Sequence, residues 1–373
     1  MLVMKKKILK SLAAILFLVP FILICAREAF PEEDAESYYD KGTDLLRQGD
    51  LAEAISNFDL AINIIKQNGI SDEEKEPLAE AYNNRGLAYY DLGNYLDAEQ
   101  DFFNAKDYNS EDIKILNNLA LTYYVQNYFT LAMGYYEEAL DLIMEEEPIH
   151  ADIYNNLGVC YANQDPPDLT KAMTAYNNSI RISKEAEWGD DVKLAVEDTS
   201  NYTEAYYNRG NLYYNENSFD AAINDYNFTI TFYEGALSTE SDVLENAYYN
   251  RGLCYYNKGL YSDAINDYEK VIELNPSYMW AYYAKGFAHY MIYQDAEAIA
   301  EYQMVLDSGG SEVYPYALFG MGLVKMRKQD TFDQGMEYLQ QSCDSGNCTI
   351  ACEALEQGLF ASPGTILDFE LPL

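Results

Sequence analysis

Three stretches of this sequence are copies of one another. Tyr82–Ala105 reads YNNRGLAYYDLGNYLDAEQDFFNA, Tyr206–Phe228 reads YYNRGNLYYNENSFDAAINDYNF and Tyr248–Lys270 reads YYNRGLCYYNKGLYSDAINDYEK. Working outward from them, units open at Ala35, Ala79, Ile113, Ala151, Thr203, Glu245 and Met279, with spacings of 44, 34, 38, 52, 42 and 34 residues, so the base period is 34. Within a unit Tyr82, Gly86 and Tyr89 recur at i, i+4 and i+7, and Ala98, Phe102 and Ala105 do the same. Each set is one face of a helix, so the spacing predicts two amphipathic helices per unit, with turns near Gly49, Gly93, Asn127, Pro166, Asn217, Gly259 and Tyr293. Gly42, Gly86, Gly158, Gly210, Gly252 and Gly286, with Ala120 in the third unit, form one column of small residues, and Ala54, Ala98, Ala132, Ala172, Ala222, Ala264 and Ala298 form another. A glycine inside a helix costs about 1 kcal/mol against alanine, so its recurrence needs a packing reason, and close approach of two helix backbones is the expected one.

This length and pattern resemble the tetratricopeptide repeat, a helix-turn-helix unit, over residues 35–308. The resemblance implies an all-α superhelical solenoid of seven repeats. Tyr316, Gly320, Leu323, Phe332, Gly335, Leu339 and Ser342 fit a degenerate eighth unit with three residues inserted in its turn, so residues 313–360 are read as that unit plus a cysteine-containing cap, and 361–373 as a tail.

The chain has 373 residues, of which 62 are acidic and 24 basic, for a net charge of -38. A phosphate backbone would be repelled, which argues against nucleic acid as a partner. His150 and His289 are the only histidines and lie far apart, no glycine-rich phosphate loop is present, and the repeats leave no room for a catalytic domain. No catalytic residue, metal ligand or cofactor is therefore expected. Insertions between units are acidic, as at Asp72, Glu73, Glu74 and Glu76, and imply a charged rim that keeps the chain soluble.

Residues 1–26 place Lys5, Lys6, Lys7 and Lys10 before an acid-free apolar run from Ser11 to Ala26. Such a segment is an export signal, either cleaved or kept as an N-terminal membrane anchor. The run ILIC ending at Cys25 resembles a loose lipoprotein box, so Cys25 is the candidate lipidation position. These features predict an exported protein, periplasmic or envelope-anchored in a bacterium. Cys160 and Cys254 occupy equivalent first-helix core positions. The phrase SCDSGNCTIACEAL, with Cys343, Cys348 and Cys352, resembles cysteine-rich relatives of the repeat family whose bridges tie a second helix to the following one, but its spacing departs slightly from theirs, so the resemblance leaves the connectivity among the three open. A Cys343–Cys352 bridge is expected in an oxidising compartment, because it restrains the fraying end while cysteines at i and i+4 aim poorly at each other.

Asn84, Asn118, Asn156, Asn208 and Asn250 each stand two residues before the small column. A row of amides at fixed pitch can pair with an extended peptide backbone, and some superhelical relatives hold peptides with such a ladder. Tyr90, Tyr124, Tyr214 and Tyr256 lie beside the row and supply rigid amphipathic contact area. The alternative is ordinary packing between repeats. Arg85 with Asp101, Arg209 with Asp225 and Arg251 with Asp267 vary together across units, Lys285 pairs in the same way with Glu301, and Leu119 and Leu157 face uncharged partners; these are read as half-exposed ion pairs within a hairpin, worth about 0 to 1 kcal/mol each. The sequence thus predicts a non-enzymatic scaffold that binds an extended or basic segment of a partner protein on a concave Asn/Tyr surface. Its rival is a permanent structural subunit of an envelope complex with no free-peptide recognition.

Overall fold

A computed structural model describes residues 34–144, 150–187, 200–235, 242–309, 312–345 and 348–356. The chain divides into two compact units, Met1–Glu145 and Glu146–Leu373. The first holds α1 (Ala35–Gln48), α2 (Leu51–Asn68), α3 (Lys75–Asp91), α4 (Tyr95–Tyr108), α5 (Ile113–Val125) and α6 (Phe129–Asp141). The second holds α7 (His150–Asn163), α8 (Leu169–Glu187), α9 (Ser200–Asn215), α10 (Phe219–Gly235), α11 (Asp242–Asn257), α12 (Tyr261–Leu274), α13 (Met279–Met291), α14 (Asp295–Asp307), α15 (Tyr314–Met326), α16 (Phe332–Asp344) and α17 (Thr349–Glu356). Both are all-α stacks of paired helices, and no strand occurs among the described residues.

Local chemistry sets the helix ends. Asp34 caps α1 by accepting the Ser37 N–H at 2.9 Å, and Asp112 caps α5 through the Lys114 N–H at 2.8 Å. Most hairpins reverse through a residue with left-handed backbone: Gly49 (φ 82°), Gly93 (75°), Asn127 (62°), Asn217 (58°), Gly259 (75°) and Tyr293 (62°). Glycine and asparagine adopt this region readily, whereas a tyrosine there is held by its surroundings. Here the Arg327 guanidinium lies 4.5 Å from the Tyr293 ring centre and 3.6 Å from that of Tyr290.

The glycine column has a different purpose from the one expected. A Cβ on Gly86 would stand 2.8 Å from Phe102, one on Gly252 2.7 Å from Tyr268, and one on Gly286 2.7 Å from Tyr302. The neighbour is an aromatic ring of the second helix, not its backbone. Phe58, Phe102, Tyr226, Tyr268 and Tyr302 are fully buried in these seats. Burying such a ring contributes about 2 to 3 kcal/mol, which more than offsets the helix-propensity cost of the glycine. The alanine column behaves as read, since all seven alanines are fully buried.

The same packing corrects the register of the last hairpin. A Cβ on Gly322 would meet Leu339 at 2.9 Å, whereas one on Gly320 would strike Tyr302 of the preceding hairpin. Gly322 is therefore the column residue of α15. It stands 17 residues before Leu339, where Gly86 and Gly252 stand 16 before Phe102 and Tyr268, so the turn carries one inserted residue rather than three. Gly320 instead falls two residues earlier, in the column that Asn250 occupies in its own unit.

Candidate functional site

The arginine–aspartate pairs hold the first helices in place. Arg85 donates from Nε and Nη2 to the two carboxylate oxygens of Asp101 at 2.7 and 2.6 Å. Arg209 does so to Asp225 at 2.8 and 2.7 Å, and Arg251 to Asp267 at 2.8 and 2.6 Å. The remaining Nη1 reaches back to the second helix of the preceding hairpin, to Asp59, to Asn177 (2.7 Å) and to Asn227 (2.6 Å) respectively. Each guanidinium also lies over the first tyrosine of its own motif, Tyr82, Tyr206 or Tyr248, at 5.2 to 5.3 Å. Lys285 copies the arrangement more weakly, with Glu301 at 3.1 Å and Glu269 at 3.6 Å.

These are not the half-exposed pairs that the spacing suggested. Asp101, Asp225 and Asp267 are only 2 to 5% exposed. Burial pushes their carboxyls above the usual range, against the pull of the guanidinium partner. Burial alone would lower the arginines, but the carboxylates more than reverse it and keep them charged. A buried, bidentate pair is costly to break from one side, by about 3 to 5 kcal/mol. Where the pair is missing, Leu119 and Leu157 are buried as plain apolar side chains.

The asparagines of the row are half-buried, and within each unit they bond to the preceding repeat. Asn84 Nδ2 donates to the Tyr39 hydroxyl at 3.0 Å and Asn118 Nδ2 to Asn83 Oδ1 at 2.8 Å. In the second unit Asn208 Nδ2 donates to Asn155 Oδ1 at 3.1 Å, and Asn250 Nδ2 to both the Tyr207 hydroxyl (3.3 Å) and Asn211 Oδ1 (3.0 Å). The acceptor is always on the first helix of the preceding hairpin. An asparagine amide has two N–H groups and one carbonyl oxygen. Asn118 and Asn208 each commit one N–H in these bonds, which leaves an N–H and an oxygen side by side, the pair that a peptide group matches, whereas Asn84 Oδ1 also takes a long contact from Asn83 Nδ2 at 3.4 Å. Asn250 commits both. Asn156 Oδ1 receives only a long contact from Asn155 Nδ2 at 3.5 Å.

The tyrosine stripe packs against the start of the following helix. Tyr90 meets Tyr95 at 5.5 Å, Tyr124 meets Phe129 at 6.0 Å, Tyr214 meets Phe219 at 5.9 Å and Tyr256 meets Tyr261 at 5.2 Å between ring centres. Tyr90, Tyr124 and Tyr214 remain half-buried, but Tyr256 is buried and offers little surface. Burial holds the Tyr90 hydroxyl up at about 12 and raises that of Tyr214, so both stay protonated donors at neutral pH.

One polar contact of the floor was not foreseen. The Tyr226 hydroxyl donates to Asn211 Oδ1 at 2.7 Å, the same oxygen that Asn250 uses. Asn211 follows Gly210 directly, and the equivalent residues after Gly252 and Gly286 are Leu253 and Phe287. The hydroxyls of Tyr268 and Tyr302 accordingly find no partner among the described residues. The signal was present in the sequence as the one asparagine in a column that is otherwise apolar apart from Thr43.

Cys343 and Cys352 are bridged, tying α16 to α17, and Cys348 is a buried thiol. Cys160 and Cys254 are buried thiols raised to about 12 by desolvation. Cys25 and the rest of residues 1–26 lie outside the described residues, as do the tail 361–373 and most of the acidic insertions; Asp72–Glu74 form a short 3-10 turn. Among the described residues no group of three or more His, Cys, Asp or Glu is placed to hold a metal ion, and no helix is long and apolar enough to cross a membrane.

Profiles described as tetratricopeptide repeat match residues 33–102, 113–143, 203–227 and 245–278, the segments that carry the hairpins above. The chain is a tetratricopeptide-repeat protein. The family is a non-catalytic scaffold class. Tetratricopeptide repeat protein 4 of Mus musculus is 26% identical over 124 residues, 33% of this chain, and that of Homo sapiens is 26% identical over 129 residues, 34% of this chain. The match covers 30 and 31% of those two proteins, so this tetratricopeptide-repeat protein spans less than a third of the curated relatives it matches. Among solved structures, the C-terminal part of a tetratricopeptide-repeat protein from Cytophaga hutchinsonii superposes with a TM-score of 0.50 at 17% identity, covering 68% of this chain and 92% of that one. The Cut9–Hcn1 hetero-tetramer of the APC/C superposes with a TM-score of 0.53 at 17% identity, covering 72% and 45%. These likenesses establish the fold.

Proposed function

We infer that this chain is a non-enzymatic interaction scaffold of the cell envelope that holds an extended segment of a partner protein on the asparagine and tyrosine face of its first helices. The observation that carries the reading is the half-used amide: Asn118 in the first unit and Asn208 in the second each keep an N–H and a carbonyl oxygen beyond their bond to the preceding repeat. A backbone held this way is recognised whatever its side chains, and a net charge of -38 favours basic segments by long-range attraction. Export is supported by the lysine-led apolar run before Ala26 and by the Cys343–Cys352 bridge, a bond that persists in oxidising compartments. Lipidation at Cys25 belongs to the same proposal.

The test uses a partner captured from an envelope extract and the internal control that the geometry supplies. Asn208→Ala and Asn250→Ala each remove a bond between repeats, but only the first also removes a free N–H and oxygen pair. Asn208→Ala is expected to weaken binding by about 0.5 to 1.5 kcal/mol per lost hydrogen bond, and Asn250→Ala by less. Equal binding by the folded Asn208→Ala variant and the parent would favour permanent assembly through other surfaces.

A further inference from the structure

Asn211 is the polar residue of the floor that the amide row does not include. It follows Gly210 in α9, and in the second unit the same place after Gly158, Gly252 and Gly286 is apolar, as Val159, Leu253 and Phe287. A half-buried amide among such neighbours needs partners, because a polar group withdrawn from water and left unpaired costs stability. The fold meets that need on one side only. Asn211 Oδ1 accepts from the Tyr226 hydroxyl at 2.7 Å and from Asn250 Nδ2 at 3.0 Å, which uses both lone pairs of the oxygen. Tyr226 belongs to the second helix of the same hairpin and Asn250 to the next first helix, so the carboxamide is gripped from two elements and its oxygen is spent.

What remains is the Nδ2 group. One of its N–H groups can serve the Tyr207 hydroxyl, which the amides of Asn211 and Asn250 draw down against the rise that burial imposes. The other faces no acceptor among the described residues. Asn211 lies three residues after Asn208 and three before Tyr214, and residues at that spacing are neighbours on one helix face. It therefore stands between the asparagine row and the tyrosine stripe, the two parts of the proposed binding face. Asn208 beside it keeps both an N–H and an oxygen, whereas Asn211 offers a donor alone. An acceptor must face it. A net charge of -38 disfavours a carboxylate there, and a backbone carbonyl oxygen is the neutral acceptor that every extended segment carries.

We propose that Asn211 is a positioning residue of this face, a fixed donor that bonds a backbone carbonyl oxygen of the segment held by Asn208 and so sets its register. The inference rests on the scaffold reading above. The test uses the full chain labelled with nitrogen-15 and, as probe, an uncharged capped peptide of four Ala-Ser-Thr repeats, which offers backbone groups and nothing for the acidic protein to attract. The side-chain amide signals are assigned by their loss in Asn208→Ala and in Asn211→Leu, the latter a residue that other units carry at this place. Titration should move one Asn211 amide proton downfield together with the Asn208 signals. Asn211→Asp keeps an acceptor for Tyr226 and Asn250 but replaces the N–H groups by an oxygen. It should raise the dissociation constant of the peptide about three- to tenfold, the loss of one hydrogen bond, with little change in melting temperature. Asn208 signals that move while those of Asn211 stay fixed, or an Asn211→Asp variant that binds as the parent does, overturn this inference and leave the scaffold reading standing. Movement at neither residue overturns both.

Discussion

Replacing Asp267 by alanine removes a buried carboxylate and leaves Arg251 with two stranded donors. Nε and Nη2 lose partners at 2.8 and 2.6 Å, while Nη1 keeps Asn227 at 2.6 Å and the ring of Tyr248 at 5.2 Å. Arg251 and Asp267 have side chains only 17 and 6% exposed, so water cannot replace the lost bonds fully. A buried charge left alone costs about 3 to 5 kcal/mol, against about 0 to 1 for a surface pair. The molecule also suggests the rescue. Leu119 with Tyr135 and Leu157 with Ala175 take the same positions without charge, so Arg251→Leu combined with Asp267→Ala should recover most of the loss. Urea unfolding followed by far-UV circular dichroism, with hydrogen exchange in α11 and α12 as the local readout, gives the full double-mutant cycle. A cost below 1 kcal/mol for Asp267→Ala, or a double variant no more stable than that single one, would refute the buried-pair argument.

Three further outcomes are expected. Tyr226→Phe should destabilise by about 1 kcal/mol, since it strips Asn211 of a donor, while Tyr268→Phe should be neutral or stabilising because its hydroxyl is buried without a protein partner; thermal melts of the two variants check the contrast. Burial raises the hydroxyls of Tyr268, Tyr283 and Tyr302 well above 10 and Cys254 from 9.0 to about 12. The neutral forms are favoured in the fold, so this stability is complete below about pH 9 and is lost as pH rises through 9 to 12 for the thiol and above 10 for the phenols; absorbance titration at 295 nm should show these tyrosines ionising only with cooperative unfolding. Reducing the Cys343–Cys352 bridge, which closes a separation of 9 residues, should cost about 2 to 3 kcal/mol locally, seen as faster hydrogen exchange in α17 and little change in α1 to α6.

The helix pairs were legible because i, i+4, i+7 spacing recurs from unit to unit, as at Tyr82, Gly86 and Tyr89 and again at Tyr248, Gly252 and Tyr255, and because turn residues such as Gly93 and Gly259 punctuate it. The partnership of Arg85 with Asp101 was legible for another reason: charge is gained and lost on both sides at once. What the spacing concealed were contacts between hairpins. The third bond of each guanidinium, to Asp59, Asn177 or Asn227, joins residues 24 to 32 positions apart. The glycines were misread for the same reason. A small column fits a close backbone or a large ring equally well, and only the placement of Tyr268 over Gly252 separates them. In the last hairpin Gly320 and Gly322 are two residues apart, so periodicity alone could not choose between them. The amide row was visible as a row, but its bonds to Tyr39, Asn83, Asn155 and Tyr207 follow from the pitch between helices rather than from any one unit.

Backbone recognition by the amide row is tested most directly on a captured partner segment made as a synthetic peptide, in two altered forms. One has its side chains scrambled at constant composition; the other keeps its sequence but carries N-methyl groups on alternate backbone amides, which removes the N–H groups proposed to bond the unused oxygens of Asn118 and Asn208. Titration calorimetry against the parent peptide should show scrambling changing affinity by less than threefold and N-methylation weakening it at least tenfold. An N-methylated peptide that binds as well as the parent, with the scrambled one failing, would mean that side chains are read instead and that the asparagine row serves only to join the repeats.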